Sequence, residues 1–136
     1  MKPELRRELR DLALVAAGAI PGALLRWRLD SLGQVVASAM RGAVGAEFIA
    51  NMIGCLLIGL VLSPTTGRPR LVLAVGIGFC GSLTTFSAWM LALARTLRAG
   101  EGLAASGVLG LSLVGGLVLV NLGLGLGQVL QHQRRG

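Results

Sequence analysis

The chain has 136 residues, 54% of them hydrophobic and only 14% charged, with a mean hydropathy of +0.75 and a net charge of +7. A soluble domain carries about a quarter charged residues, and here the apolar residues run in blocks that leave no polar face for one. The thirteen Lys and Arg lie almost wholly at block ends and in loops, where they meet lipid headgroups and set topology rather than form a nucleic-acid surface.

Four apolar blocks follow in chain order. Leu12–Leu25 has 14 residues and extends to Leu29, with Arg26 and Arg28 near its end. Ala43–Leu62 has 20 residues and contains Glu47 and Asn51. Leu71–Ala94 (24 residues) and Leu103–Leu130 (28 residues) carry no charge. A bilayer core about 30 Å thick needs roughly 20 apolar helical residues, so three blocks meet the length and the first is marginal. The expected spans are 12–29, 43–62, 71–94 and 103–130, in a single membrane domain that uses the whole chain, 1–136. The basic N-terminus, first block and Ala37-Ser38-Ala39 also mimic a secretory leader. Arg26 and Arg28 interrupt that pattern, and the first block is read as a retained span.

The basic residues weakly specify orientation. Lys2, Arg6, Arg7, Arg10, Arg68, Arg70, Arg134 and Arg135 fall on one side, and Arg26, Arg28, Arg41, Arg95 and Arg98 on the other. Without the N-terminal cluster the tally is four against five, close to the balance at which a chain inserts both ways and can form an antiparallel homodimer.

The first block contains Gly18-x-x-x-Gly22 and the fourth Gly123-x-x-x-Gly127, pairs that let helices approach closely. Pro21 is expected to kink the first block. In the second block Glu47 and Asn51 are four apart and share a helix face, which Gly54 continues. A buried amide is either interhelical glue or a ligand. A membrane carboxylate is a functional candidate unless it reaches the interface, and Glu47 is near enough to the block's start for either.

The third block holds Gly76-x-Gly78-x-x-Gly81 after a strand-like run. The letters match a dinucleotide-binding turn, but no second strand precedes Glu101 and no βαβ context exists. With Ser82, Thr84, Thr85 and Ser87 close behind, the run reads as a membrane helix broken over Gly78–Thr85. Non-helical backbone at that depth survives only when walled by protein or lining a cavity, and its carbonyls can bind a cation. Phe86 and Trp89 share a face, and their ring edges carry positive potential that can meet an anion. Ser112 is a polar residue deep in the fourth block. Cys55 and Cys80 read as small packing residues, and no Cys/His cluster suggests a metal enzyme. Nor does a nucleophile–base pair suggest any other enzyme. The lining so assembled, with hydroxyls, an amide, aromatic edges and Arg26 near one interface, suits a small anion held weakly enough to leave.

Gly81-Ser-Leu-Thr84-Thr85-Phe86-Ser87 resembles the signature of the CrcB/Fluc fluoride channels. Asn51-x-x-Gly54, Gly18-x-x-x-Gly22-Ala23-x-x-Arg26 and Ser112-Leu113 with Gly116 are similar to further parts of that family's pattern. The resemblance implies an all-α membrane protein with four transmembrane helices, the third broken mid-membrane, in an antiparallel dual-topology homodimer. Such a dimer would conduct fluoride passively out of the cytoplasm across the plasma (cell inner) membrane. A structural sodium ion on the dimer axis would be held by the carbonyls of Gly81 and Thr84. Asn51, Phe86, Trp89, Thr85, Ser87 and Ser112 would line the fluoride pathway, with Arg26 at the vestibule. Three positions depart from the pattern: Trp89 stands where a second phenylalanine is expected, Glu47 where threonine is common, and Val108 where tyrosine is frequent. Glu47 keeps an alternative open, a small dual-topology, proton-coupled multidrug exporter, whose glutamate however belongs in the first helix. A non-transporting assembly factor would leave Asn51 and Phe86 unexplained.

Overall fold

The computed structural model describes residues 2–39, 45–63 and 68–133, and every regular element among them is helical. The expected start of the second span at Ala43, together with Arg41, Arg134 and Arg135, lies outside the described residues. Helix α1 covers Pro3–Ala39, α2 Ala46–Leu62, α5 Ser87–Arg98 and α6 Gly102–His132. Between α2 and α5 the chain forms α3, a turn over Pro69–Leu71, then a π-helix over Val72–Cys80, then α4 over Gly81–Leu83.

Pro3–Ser31, Pro69–Arg98 and Gly102–Leu130 are long and apolar enough to cross a membrane, with mean hydropathies of 1.4, 1.8 and 2.2. The short helix is α2, with 17 residues, or about 25 Å at the α-helical rise. This reverses the expectation that the first block is the marginal one. Polar turns that the apolar count leaves out extend α1 at both ends, and Pro21 sits inside it without ending it. Helix α2 starts only after Gly45, whose extended backbone (φ −83°, ψ 173°) forms its N-cap.

Glycines set how closely the helices cross. A Cβ on Gly18 would run into the carbonyl of Ala74, and one on Gly78 would lie 3.1 Å from the backbone of both Ala19 and Gly18. Thus α1 lies backbone to backbone on the π-helix, as small residues permit. Helices α2 and α6 meet the same way, Gly59 against Val120 and Gly123 against Leu56 and Leu60. The two small-xxx-small pairs are therefore contact surfaces. Gly78, expected to soften the third span, is instead a packing residue. The π-helical register, with its i→i+5 bonds, occupies the part of the span that α1 covers.

Large apolar side chains point outward along α1 and α6, among them Leu24, Trp27, Leu111, Leu117, Val118 and Leu126. Leu83, 0% exposed, is the largest fully buried side chain among the described residues. An all-helical chain with a small interior and an apolar exterior is suited to lipid. Helix α5 closes with Gly100 at φ 81°, the left-handed position glycine accepts, and the N–H of Glu101 donates to the carbonyl of Thr96 at 3.2 Å. That turn sends α6 back along α2.

Candidate functional site

The third span stops being helical at Thr84–Phe86. The interruption is shorter than the Gly78–Thr85 stretch expected, because Gly78, Gly81 and Ser82 remain in helical turns. Thr84 is extended (φ −81°, ψ 155°), and its N–H and Oγ1–H both donate to the carbonyl of Cys80, at 3.0 and 2.8 Å. A helix end inside a membrane protein leaves backbone groups that need partners, and side chains from two other helices supply them.

Asn51 on α2 is the first. Its Nδ2 donates to the carbonyl of Thr85 at 3.0 Å, while the Thr85 N–H donates to its Oδ1 at 2.9 Å. In an uninterrupted α-helix that N–H would close on the carbonyl of Gly81. Likewise the N–H of Ala88, which would close on Thr84, points to Thr85 Oγ1 at 3.4 Å. Arg26 on α1 is the second, its Nη1 donating to the carbonyl of Leu83 at 3.3 Å. Arg26 Nε lies 3.7 Å from Asp30 Oδ2, one turn along the same helix. Ser82 adds a tie between α1 and the third span, donating to Ala19 at 2.9 Å and to Phe79 at 3.1 Å.

Beside the break lies a cavity of 590 Å³ whose wall includes Asn51, Gly81, Thr84, Thr85, Phe86, Trp89 and Ser112. Residues chosen from the sequence on α2, the break, α5 and α6 are thus brought to one space. Gly54 opens it, since a Cβ there would strike the Thr84 methyl. Phe86 and Trp89 sit with ring centroids 5.9 Å apart, tilted by 54°, and Phe86 is 71% exposed. The Trp89 indole donates from Nε1 to Ser112 Oγ at 3.2 Å, and Ser112 Oγ donates to the carbonyl of Val108 at 2.7 Å.

Three candidates lie off this wall. Ser87 is exposed, its hydroxyl 3.4 Å from that of Thr85. Arg26 is engaged with the carbonyl of Leu83. Glu47 occupies the first turn of α2, its carboxylate folded back over Gly45, where a negative charge complements the helix dipole. It shares the Asn51 face of the helix but not the cavity. Sequence reasoning missed Met52, Cys55, Ile58, Ile77, Cys80 and Leu113 on the wall. Cys55 and Ile58 follow Asn51 at helical spacing, a signal that could have found them. Both cysteines are free thiols, and no described group of His, Cys, Asp and Glu could hold a metal.

These observations define a multi-pass, all-helical membrane protein with an open cavity, lined by uncharged residues, beside a broken helix. Residues 13–124 match the family described as CrcB-like protein, Camphor Resistance (CrcB), and the chain belongs to that family. It is 47% identical over 131 residues to "Fluoride-specific ion channel FluC 2" of Synechococcus sp. (strain CC9605), covering 96% of this chain and 90% of that one. It is 48% identical over 128 residues to the protein of the same name from Parasynechococcus marenigrum (strain WH8102), covering 93% and 88%. A relative named "Fluoride-specific ion channel FluC" from Prosthecochloris aestuarii (strain DSM 271 / SK 413) is 39% identical over 129 residues, 92% of this chain and 98% of that one. These relatives are named as ion channels and not as enzymes.

Proposed function

We propose that this protein is a fluoride-selective channel that lets the ion leave the cytoplasm passively across the plasma membrane. The observation that carries the reading is the cavity wall: an amide, hydroxyls and two tilted aromatic rings converge there, and none of the described lining residues is charged. Fluoride is small and strongly hydrated, so a site must replace water with hydrogen-bond donors and ring edges. It must also hold the ion weakly enough to release it. Asn51 keeps a second Nδ2 hydrogen beyond the one given to Thr85, and the ring edge of Phe86 carries positive potential that can meet an anion. Thr85, Ser87 and Ser112 extend the hydroxyl track, and Arg26 concentrates anions at the approach.

All four apolar segments, the short α2 included, span the membrane in this reading, and two copies associate antiparallel. Phe86 and Ile77, both exposed in the single chain, then face the partner copy. The carbonyls of Gly81 and Thr84 suit a structural sodium ion on that axis. The N–H groups that a regular helix would bring to them go to Asn51 and to Thr85 Oγ1, and unwound carbonyls are the donor set sodium takes in membrane proteins. The ion would tie two broken helices together by charge. The exporter reading gains nothing from Glu47, which lies off the cavity.

Purified protein in liposomes loaded with fluoride, and separately with chloride, tests this directly. Fluoride efflux should be fast once a potassium ionophore balances charge, and chloride should stay inside. Equal release of both ions, or of neither, overturns the proposal.

A further inference from the structure

The cavity contains one donor that a phenylalanine in the same place would lack, the indole N–H of Trp89. It is engaged with Ser112 Oγ at 3.2 Å, whereas that same oxygen gives its own proton to the carbonyl of Val108 at 2.7 Å. The two bonds are unequal. The hydroxyl's bond to its own helix is short and local, of the i→i−4 kind, and the indole's bond is long for an N–H donor. An anion entering between them has two hydrogens to compete for, and the indole hydrogen is held less firmly. A hydrogen bond to an ionised acceptor is roughly twice as strong as one between neutral groups, so exchange of the serine oxygen for an anion is favourable for the indole. The serine proton is the harder of the two to draw away, because its bond to Val108 is the shorter one and is made within its own helix.

We propose that Trp89 binds the transported anion through Nε1–H, with Ser112 as the resting acceptor that holds the indole in place between ions. The inference rests on the fluoride reading and deepens it. Trp89 is then a specificity-determining residue: N–H donation favours the smallest, most strongly accepting halide, beyond what a ring edge offers. Phe86, 5.9 Å away by ring centroid, faces the same ion from the other side.

The test uses the full-length protein with ¹⁵N-labelled tryptophan in detergent, titrated with sodium fluoride or sodium chloride at constant ionic strength. Two indole resonances are expected, from Trp27 and Trp89. Trp27 is exposed on α1 with the Arg28 guanidinium over its ring and serves as the internal reference. Fluoride should move the Trp89 indole proton downfield, saturably, and chloride should not. Trp89→Phe should raise the fluoride concentration for half-maximal liposome efflux by about tenfold, the loss of one charge-assisted bond. Ser112→Ala should leave the indole response in place. An immobile Trp89 signal in protein whose liposomes release fluoride overturns this inference and spares the channel reading. A response abolished by Ser112→Ala, with Trp89→Phe unchanged in efflux, assigns the ion to the hydroxyl and also overturns it. A saturable indole shift without efflux supports anion binding here and sinks conduction instead, and failure of both signals removes both proposals.

Discussion

Asn51 and Thr85, 34 residues apart, exchange two hydrogen bonds between a side-chain amide and a main-chain peptide, at 3.0 and 2.9 Å. The pairing fixes the amide's orientation, since oxygen must face the N–H and nitrogen the carbonyl. It also explains why the third span unwinds where it does: the amide replaces a helical partner that Thr85 would otherwise need. Asn51 is therefore a structural clamp, a role separate from the one proposed for it in the fluoride pathway.

Asn51→Ala removes both bonds and leaves the N–H and the C=O of Thr85 without these partners, at a cost of about 1–3 kcal/mol. The melting temperature in detergent should fall, and fluoride efflux should slow. Asn51→Asp is the sharper variant, because a carboxylate oxygen would face the Thr85 carbonyl and repel it. It should be less stable than the alanine variant, and equal or greater stability would argue against the clamp.

Much of this was legible in the sequence, and the omissions have physical causes. Periodicity and polar spacing identify Asn51, Thr85, Phe86, Trp89 and Ser112, because polar and aromatic groups in an apolar block must find partners. Glycine is harder to read. Gly18, Gly78 and Gly81 look alike as letters, yet the first two admit a neighbouring backbone and the third faces open space. Only the crossing of α1 over the π-helix distinguishes them. The π-register has no signature in the letters, since α- and π-helices need the same residue types. Arg26 was placed near an interface by its position at a block's end, while its partner, a carbonyl 57 residues away, has no side-chain signal.

Gly81→Ala and Gly18→Ala separate the two glycine roles. Gly81 has helical backbone (φ −64°, ψ −32°) and no atom within 4 Å of an added Cβ, so alanine should change stability by less than about 0.5 kcal/mol. Gly18→Ala would force α1 off the Ala74 carbonyl, and overpacking of this kind costs about 1–3 kcal/mol. Thermal unfolding of the two variants side by side should show the difference.

Arg26→Lys keeps the charge and loses the planar fork. In the native chain one guanidinium reaches Leu83 with Nη1 and lies toward Asp30 with Nε, a division that an ammonium cannot reproduce. If the residue served only by attracting anions, lysine would suffice. The expectation is a loss of about 1 kcal/mol and a lower melting temperature for Arg26→Lys. Asp30→Asn should cost less, because Asp30 is half-exposed and lies 3.7 Å from the guanidinium, and solvent-accessible pairs contribute about 0–1 kcal/mol.

Glu47→Gln separates the channel from a proton-coupled exporter. A coupled exporter needs a carboxylate that both substrate and proton can reach within the transport path, so glutamine would abolish it. Here the carboxylate folds over Gly45 in the first turn of α2, a turn away from Asn51 and off the cavity wall. A glutamine there loses only the favourable dipole term, about 0.3–1 kcal/mol. Fluoride efflux from liposomes should be within about fivefold of the native rate, the size of change that such an energy permits. Abolished fluoride efflux would put Glu47 in the pathway after all. Loss of a proton-driven efflux of cationic dye would identify an exporter in place of the channel.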